Sequence, residues 1–205
     1  SESPERVDLL HALAWQLWGN DSERAEGLAE EEKALADKLD YPRGRAFAQY
    51  HEGIAWGLLK HDIEKAMSCF LDALEWFNAH DEFLGQAEVK SILGTVYWGF
   101  GDFVRGFKSS SEALQLYDQI EDIDGKAWTL NAIGRHHYDI GDYDQALDHF
   151  QKACTLFSEI DEPMGRARAL NGIGTVFHQL GQHEEGFEYQ RQSLELHRSV
   201  QDKLG

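Results

Sequence analysis

Five glycines fall on a forty-residue beat. Gly44, Gly85, Gly125, Gly165 and Gly205 are separated by 41, 40, 40 and 40 residues, and the first four are each followed two positions later by alanine, at Ala46, Ala87, Ala127 and Ala167. A second set, Gly53, Gly94, Gly134 and Gly174, lies nine residues beyond those four. A period of this length marks an array of supersecondary units that bury their apolar faces against one another.

One unit resolves into two helices. After Gly125, Leu130, Ile133 and His137 recur at three- and four-residue steps, which places them on one helical stripe with His137 as a packed neutral imidazole. Ile140-Gly141-Asp142-Tyr143 interrupts the stripe, with glycine suited to close a helix and aspartate to cap the next. Tyr143, Ala146, Leu147, Phe150, Ala153 and Phe157 form the second stripe, and Ser158 to Glu162 form the exit turn. Pro42 and Pro163, each two residues before a repeat glycine, fit a first helical turn, as does Ser3-Pro4. The chain is therefore expected to be all-α, a single domain over 1–205 with units at 3–43, 44–84, 85–124, 125–164 and 165–204. Gly53, Gly94, Gly134 and Gly174 bring the helices of one pair close, and Ala66, Ala113, Ala146 and Ala153 serve the same purpose.

Charge and composition remove several function classes. A formal net charge of −18, with no basic run, argues against nucleic-acid binding and against docking on an anionic membrane. No apolar stretch reaches the roughly 20 residues that a membrane-spanning helix needs. Two cysteines, Cys69 and Cys154, are too few for a disulfide scaffold, so free thiols in a reducing compartment, the cytoplasm, are expected. The acidity fits a solvated surface, a salt-adapted proteome or a basic partner.

The residues at the repeat positions resemble the tetratricopeptide repeat (TPR). Its pattern of a large residue, Leu-Gly, an aromatic, Ala and Phe is matched by Leu130, Ile133-Gly134, His137, Ala146 and Phe150. It is matched again by Gly94, Tyr97 and Ala113; by Leu170, Ile173-Gly174 and Phe177; and by Gly53, Trp56, Ala66, Phe70 and Ala73. The period is 40 rather than 34, a closing proline is missing, and Gly106, Ser110, Gly186 and Gln190 replace the expected Ala and Phe. The resemblance implies a right-handed superhelical solenoid of about five helix-turn-helix repeats. Residues 3–43 form a degenerate first repeat, similar to that of input domains preceding bacterial histidine kinases and nucleotide cyclases. Gln201 to Gly205 repeats the pattern of Asp81 to Gly85, so a piece of a longer polypeptide is expected.

In solenoids of this family a second stripe on each first helix lines the concave wall. Here it reads Phe47, Tyr50, Ile54 and Gly57; Glu88, Ser91, Thr95 and Trp98; Trp128, Asn131, Arg135 and Tyr138; then Arg168, Asn171, Thr175 and His178. Aromatics, amides and hydroxyls with two arginines are the composition of a recognition surface. Asn131 and Asn171 are equivalent in successive units; they either hold a peptide backbone, as asparagines of related solenoids do, or tie adjacent first helices together. Arg135 and Arg168 either share a carboxylate or phosphate, or pair with Asp139 or Glu88. Trp98, Trp128 and Tyr138 read as hot-spot anchors or as core. The candidate peptide-binding set is thus Tyr50, Ser91, Thr95, Trp98, Trp128, Asn131, Arg135, Tyr138, Arg168, Asn171, Thr175 and His178. The match to a chaperone-tail carboxylate clamp is fragmentary.

No catalytic motif accompanies this surface. His136 and His137 are adjacent, and His178 and His183 straddle a turn, so neither pair has helical metal-ligand spacing. Gly172-Ile173-Gly174 lies inside a helix rather than after a strand, and Asp139, Asp142 and Asp144 lack the glycine and glutamate of a calcium loop. No serine or cysteine has a nucleophile motif. No cofactor, no metal and no active site are expected. A peptide or protein segment is the expected partner, with a homodimer left open. Two roles follow from the resemblance: a regulatory input module attached to a kinase, cyclase, diguanylate cyclase or phosphatase, or an adaptor without signalling output.

Overall fold

The computed structural model describes residues 2–19 and 21–204, with side chains through residue 200. The described residues form ten helices and no strand: α1 (Pro4–Leu17), α2 (Ser22–Lys38), α3 (Pro42–Leu58), α4 (Ile63–Ala79), α5 (Phe83–Gly99), α6 (Phe103–Gln119), α7 (Ile123–Asp139), α8 (Tyr143–Glu159), α9 (Pro163–Gln179) and α10 (His183–Leu204). They divide into two compact units, Ser1–Val89 and Lys90–Gly205.

One device recurs in the turns inside the last three helix pairs. Gly141, at φ +81°, donates to Tyr138 O at 3.0 Å while Asp142 N donates to His137 O at 2.9 Å, which satisfies the last carbonyls of α7. Asp142 then turns its carboxylate to the free N–H of Gln145 and caps α8. Gly101 with Asp102 repeats this between α5 and α6, and Gly181 with Gln182 repeats its carbonyl half between α9 and α10. The turns that lead into α3, α5, α7 and α9 instead put Asp40, Asp81, Glu121 and Asp161 at positive φ. A side chain with a Cβ is strained there, although a short carboxylate tolerates it better than a branched residue does.

Rings from second helices fill the space left by the repeat glycines. A Cβ on Gly125 would sit 2.1 Å from the Tyr117 ring, and one on Gly165 would sit 2.4 Å from Phe157. Within the first unit, Gly85 stands in the same way 2.5 Å from Phe77. The three rings are themselves forty residues apart and wholly buried, each contributing about 1.5–3 kcal/mol of apolar burial. The second glycine series works inside a pair: Gly53 admits Phe70 and Gly134 admits Phe150. In the α5–α6 pair Ser110 stands where Phe70 and Phe150 stand elsewhere, and Gly94 meets its hydroxyl.

Two expectations about the second stripe are corrected here. Tyr50 does not line a wall; with Phe47 and Ile54 it is in the core of the first unit, because α1 packs over this stripe and sets Trp15 against Tyr50 (ring centroids 6.3 Å) and His11 against Phe47 (4.1 Å). Trp98 is likewise buried. Gly106 and Ser110 leave room on α6, and the indole occupies it, 3.3 Å from the Cβ position of Gly106 and 5.0 Å from the Phe107 centroid. His137 packs between Phe107 and His149, with ring centroids at 5.0 and 5.2 Å, and the adjacent His136 is wholly buried, flat on Trp98 at 4.2 Å.

Candidate functional site

Within the second unit, α7, α9 and α10 enclose a hollow of about 900 Å³. The seventeen-residue helices α7 and α9 start in equivalent registers, so positions forty apart come side by side: Asn131 beside Asn171 and Arg135 beside Thr175 along one wall. The opposite wall is Gln190, Ser193, Leu194 and His197 of α10, and the ring of Phe150 from α8 forms the floor. That ring reaches the hollow because Gly172 has no side chain in its path; a Cβ there would lie 2.7 Å from it.

Six of the twelve candidate residues line this hollow: Asn131, Arg135, Tyr138, Arg168, Asn171 and Thr175. The amide side chains of Asn131 and Asn171 make no hydrogen bond among the described residues, and Asn131 Oδ1 is buried without a partner. They do not bond to each other across the α7–α9 contact. A buried amide oxygen left without a donor is costly. Thr175 Oγ1 donates back to Asn171 O at 2.8 Å, which fixes the hydroxyl along α9. Tyr138 accepts from Gln179 Nε2 at 3.1 Å.

The electrostatics of the hollow differ from those of the chain as a whole. Arg135 is exposed and makes no ion pair among the described residues. Asp139, which accepts from Trp98 Nε1 at 2.8 Å, also lines the hollow and brings a carboxylate to it, whereas Glu88 lies 3.3 Å from His11 Nε2 in the first unit. The Arg168 guanidinium lies over the Trp128 ring at 5.2 Å, and Trp128 is held edge-on to Phe157. The hollow thus sets the Arg135 and Arg168 guanidinium groups beside the Asp139 carboxylate, on a chain of net charge −18.

The other candidates stand outside the hollow. Trp128 touches it only through Arg168, and His178 through a 3.2 Å contact to Gln190 Oε1. Ser91 Oγ lies 3.1 Å from Thr129 Oγ1 and ties α5 to α7, and Thr95 is half-buried on α5. Sequence reasoning missed the α10 wall. Its signal was present in the polar Gln190, Ser193 and His197 at three- and four-residue steps on a second helix, where Phe150 and Ala153 mark the buried face of the preceding unit. No helix among the described residues is long and apolar enough to cross a membrane.

Comparison with known proteins places this arrangement. Residues 85–159 and 166–200 match models of the tetratricopeptide repeat. No curated protein matches the sequence. Among solved structures, BtubC (BKLC) from P. vanneervenii is similar with a TM-score of 0.69 at 17% identity, over 96% of this chain and 80% of that one. Aspartyl phosphate phosphatase F from Bacillus subtilis gives 0.66 at 14% identity over 96% of this chain, which spans 64% of that protein. MamA from Desulfovibrio magneticus RS-1 gives 0.53 at 18% identity, over 97% of this chain and 98% of that one. At these identities the likeness is one of fold, an all-α superhelical solenoid of helix-turn-helix repeats.

Proposed function

Because the chain belongs to the tetratricopeptide repeat family, whose repeats are generally non-catalytic modules for protein–protein interaction, we propose that the α7–α9–α10 hollow binds an extended peptide segment of a partner protein. The observation that carries this reading is the pair of unbonded amides, Asn131 and Asn171, set in register on one wall beside Arg135 and Arg168. A side-chain amide offers one acceptor and two donors, the complement of a peptide group, and successive amides on adjacent helices meet a chain in extended conformation. Arg135, exposed and without an ion pair among the described residues, favours a segment with an acidic side chain or a free terminal carboxylate. Bound in this way, the segment joins helices of successive repeats, which suits a regulatory input module of a bacterial signalling protein that passes a change in their packing to an effector.

The binding step is tested with peptides selected from a displayed random library. Asn131→Ala/Asn171→Ala is expected to weaken a selected peptide at least tenfold with unchanged helicity, and amidation of a terminal carboxylate to weaken it further. Equal affinity for wild type and variant would remove the asparagines from the site. The regulatory step is tested on the full-length polypeptide: an enzymatic output that changes with peptide in the wild type, and not in the variant, supports an input module. Partner recruitment with no such output supports the adaptor role instead.

A further inference from the structure

The first unit buries a cluster of ionisable side chains that peptide recognition does not use. His11 of α1, Glu32 of α2 and His51 of α3 each offer one ligating atom, all three atoms within 4.8 Å of one another. His11 and His51 are forty residues apart and equivalent in successive first helices, where later units carry Ile92, Ala132 and Gly172. All three side chains are buried, Glu32 and His51 completely.

Hydrogen bonding fixes the proton on each imidazole. The Trp18 indole can only donate, and its Nε1 lies 2.8 Å from His51 Nδ1, so neutral His51 carries its proton on Nε2. That N–H meets His11 Nδ1 at 2.9 Å, which accepts, and His11 Nε2–H then points at Glu88 Oε1, 3.3 Å away. Every ring nitrogen is accounted for. Glu32 is different: neither of its oxygens has a hydrogen-bond partner among the described residues, and Oε2 stands 3.6 Å from His51 Nε2. Burial, with Glu88 nearby, pushes its carboxyl up to about 9.

We propose that His11 Nδ1, His51 Nε2 and a Glu32 oxygen form a zinc site. Two imidazoles and one carboxylate, with a fourth position left for water, are a donor set that zinc accepts, whereas magnesium and calcium require oxygen ligands. Glu88 Oε1 lies 3.3 Å from the far nitrogen of His11, the place of an outer-shell acceptor that orients a ligating histidine. A small hollow of about 130 Å³ reaches His51; its rim holds Glu30 together with Glu26 and Glu52, which pair with Lys60 and Lys33. Binding moves protons in a defined way. Zinc takes the His51 Nε2 lone pair, and the proton held there transfers to Nδ1; the Glu32 proton leaves to solvent. With Nδ1 now a donor, the bond from the Trp18 indole is broken, so the tryptophan reports occupancy.

The test is titration of the chain with zinc alone against a chromogenic chelator, in a His183→Ala background that removes the surface His178–His183 pair. One equivalent is expected to bind, Glu32→Gln is expected to weaken it at least tenfold, and Glu88→Gln to weaken it by about 10–100-fold. Nitrogen-15 spectra of the unsubstituted ligand set guard against a variant that fails to fold: zinc is expected to move His51 from the Nε2–H to the Nδ1–H tautomer and shift the Trp18 indole resonance. No bound equivalent, undiminished affinity in a folded Glu32→Gln, or bound zinc with His51 still protonated on Nε2 would overturn the proposal.

Discussion

The contact between Gly125 and Tyr117 shows how much of the stacking rests on single atoms. Adding one methyl group at Gly125 places it 2.1 Å from a wholly buried ring that has nowhere to move, so Gly125→Ala is expected to destabilise the chain by about 1–3 kcal/mol in urea denaturation. Gly27, on the exposed face of α2 with nothing within 4 Å, is the control: Gly27→Ala is expected to stabilise by about 0.5–1 kcal/mol, because only backbone entropy changes. His136 gives a titrating counterpart. Burial, then the neighbouring Arg135 and His137 charges, lower it from 6.5 to about 4. The unfolded chain therefore takes up this proton first, so the contribution of His136 to stability is complete above pH 6.5 and is lost as pH falls to about 4. His136→Phe, which keeps the ring on Trp98, is expected to flatten that limb of a stability-against-pH curve. The glycine beat was legible in the sequence because a missing side chain leaves a positional trace. The full burial of His136 was not, since it depends on the indole of Trp98 from a neighbouring helix.

At the scale of the helix, the capped turn is the recurring part. Asp122 accepts from Gly125 N at 3.0 Å and opens α7, so Asp122→Ala is expected to cost about 1 kcal/mol, seen as earlier thermal unfolding. Asp62 and Asp102 cap α4 and α6 through the backbone N–H groups of Lys65 and Arg105, which hold both carboxyls below the usual value of 3.8. Their contribution is present above that value and is lost as acid protonates them, so acid unfolding is expected to steepen below about pH 4. The Gly141-Asp142 turn could be read directly, for glycine and aspartate have separate and specific tasks there. The turns at Asp40, Asp81, Glu121 and Asp161 could not, because a left-handed carboxylate residue looks like any polar loop position. The same limit explains Tyr50 and Trp98. Helical spacing assigns a residue to a face, but whether that face meets solvent depends on the neighbouring helix and on vacancies such as Gly106 and Ser110.

For the whole molecule, a net charge of −18 sets a repulsive background against which the arginines of the hollow stand out. Raising sodium chloride from about 0.02 M to about 0.5 M shortens the screening length severalfold and is expected to raise Tm by a few degrees, while weakening an acidic peptide held by Arg135. The repeat and the helix pairs were legible before the structure, since a forty-residue period carries equivalent positions from unit to unit, and it is that period which brings six of the candidate residues to one hollow. The α10 wall and the His11–Glu32–His51 cluster were not, because each joins helices at positions that the repeat alone does not single out. The most direct test of peptide binding in the hollow is site-specific photocrosslinking with a selected peptide, the reactive side chain placed at Thr175 and, as control, at exposed Leu71 of the first unit. Capture at position 175, abolished by excess unlabelled peptide and absent at position 71, is the expected result; equal capture at both positions, or none at 175 by a peptide that binds, would contradict it.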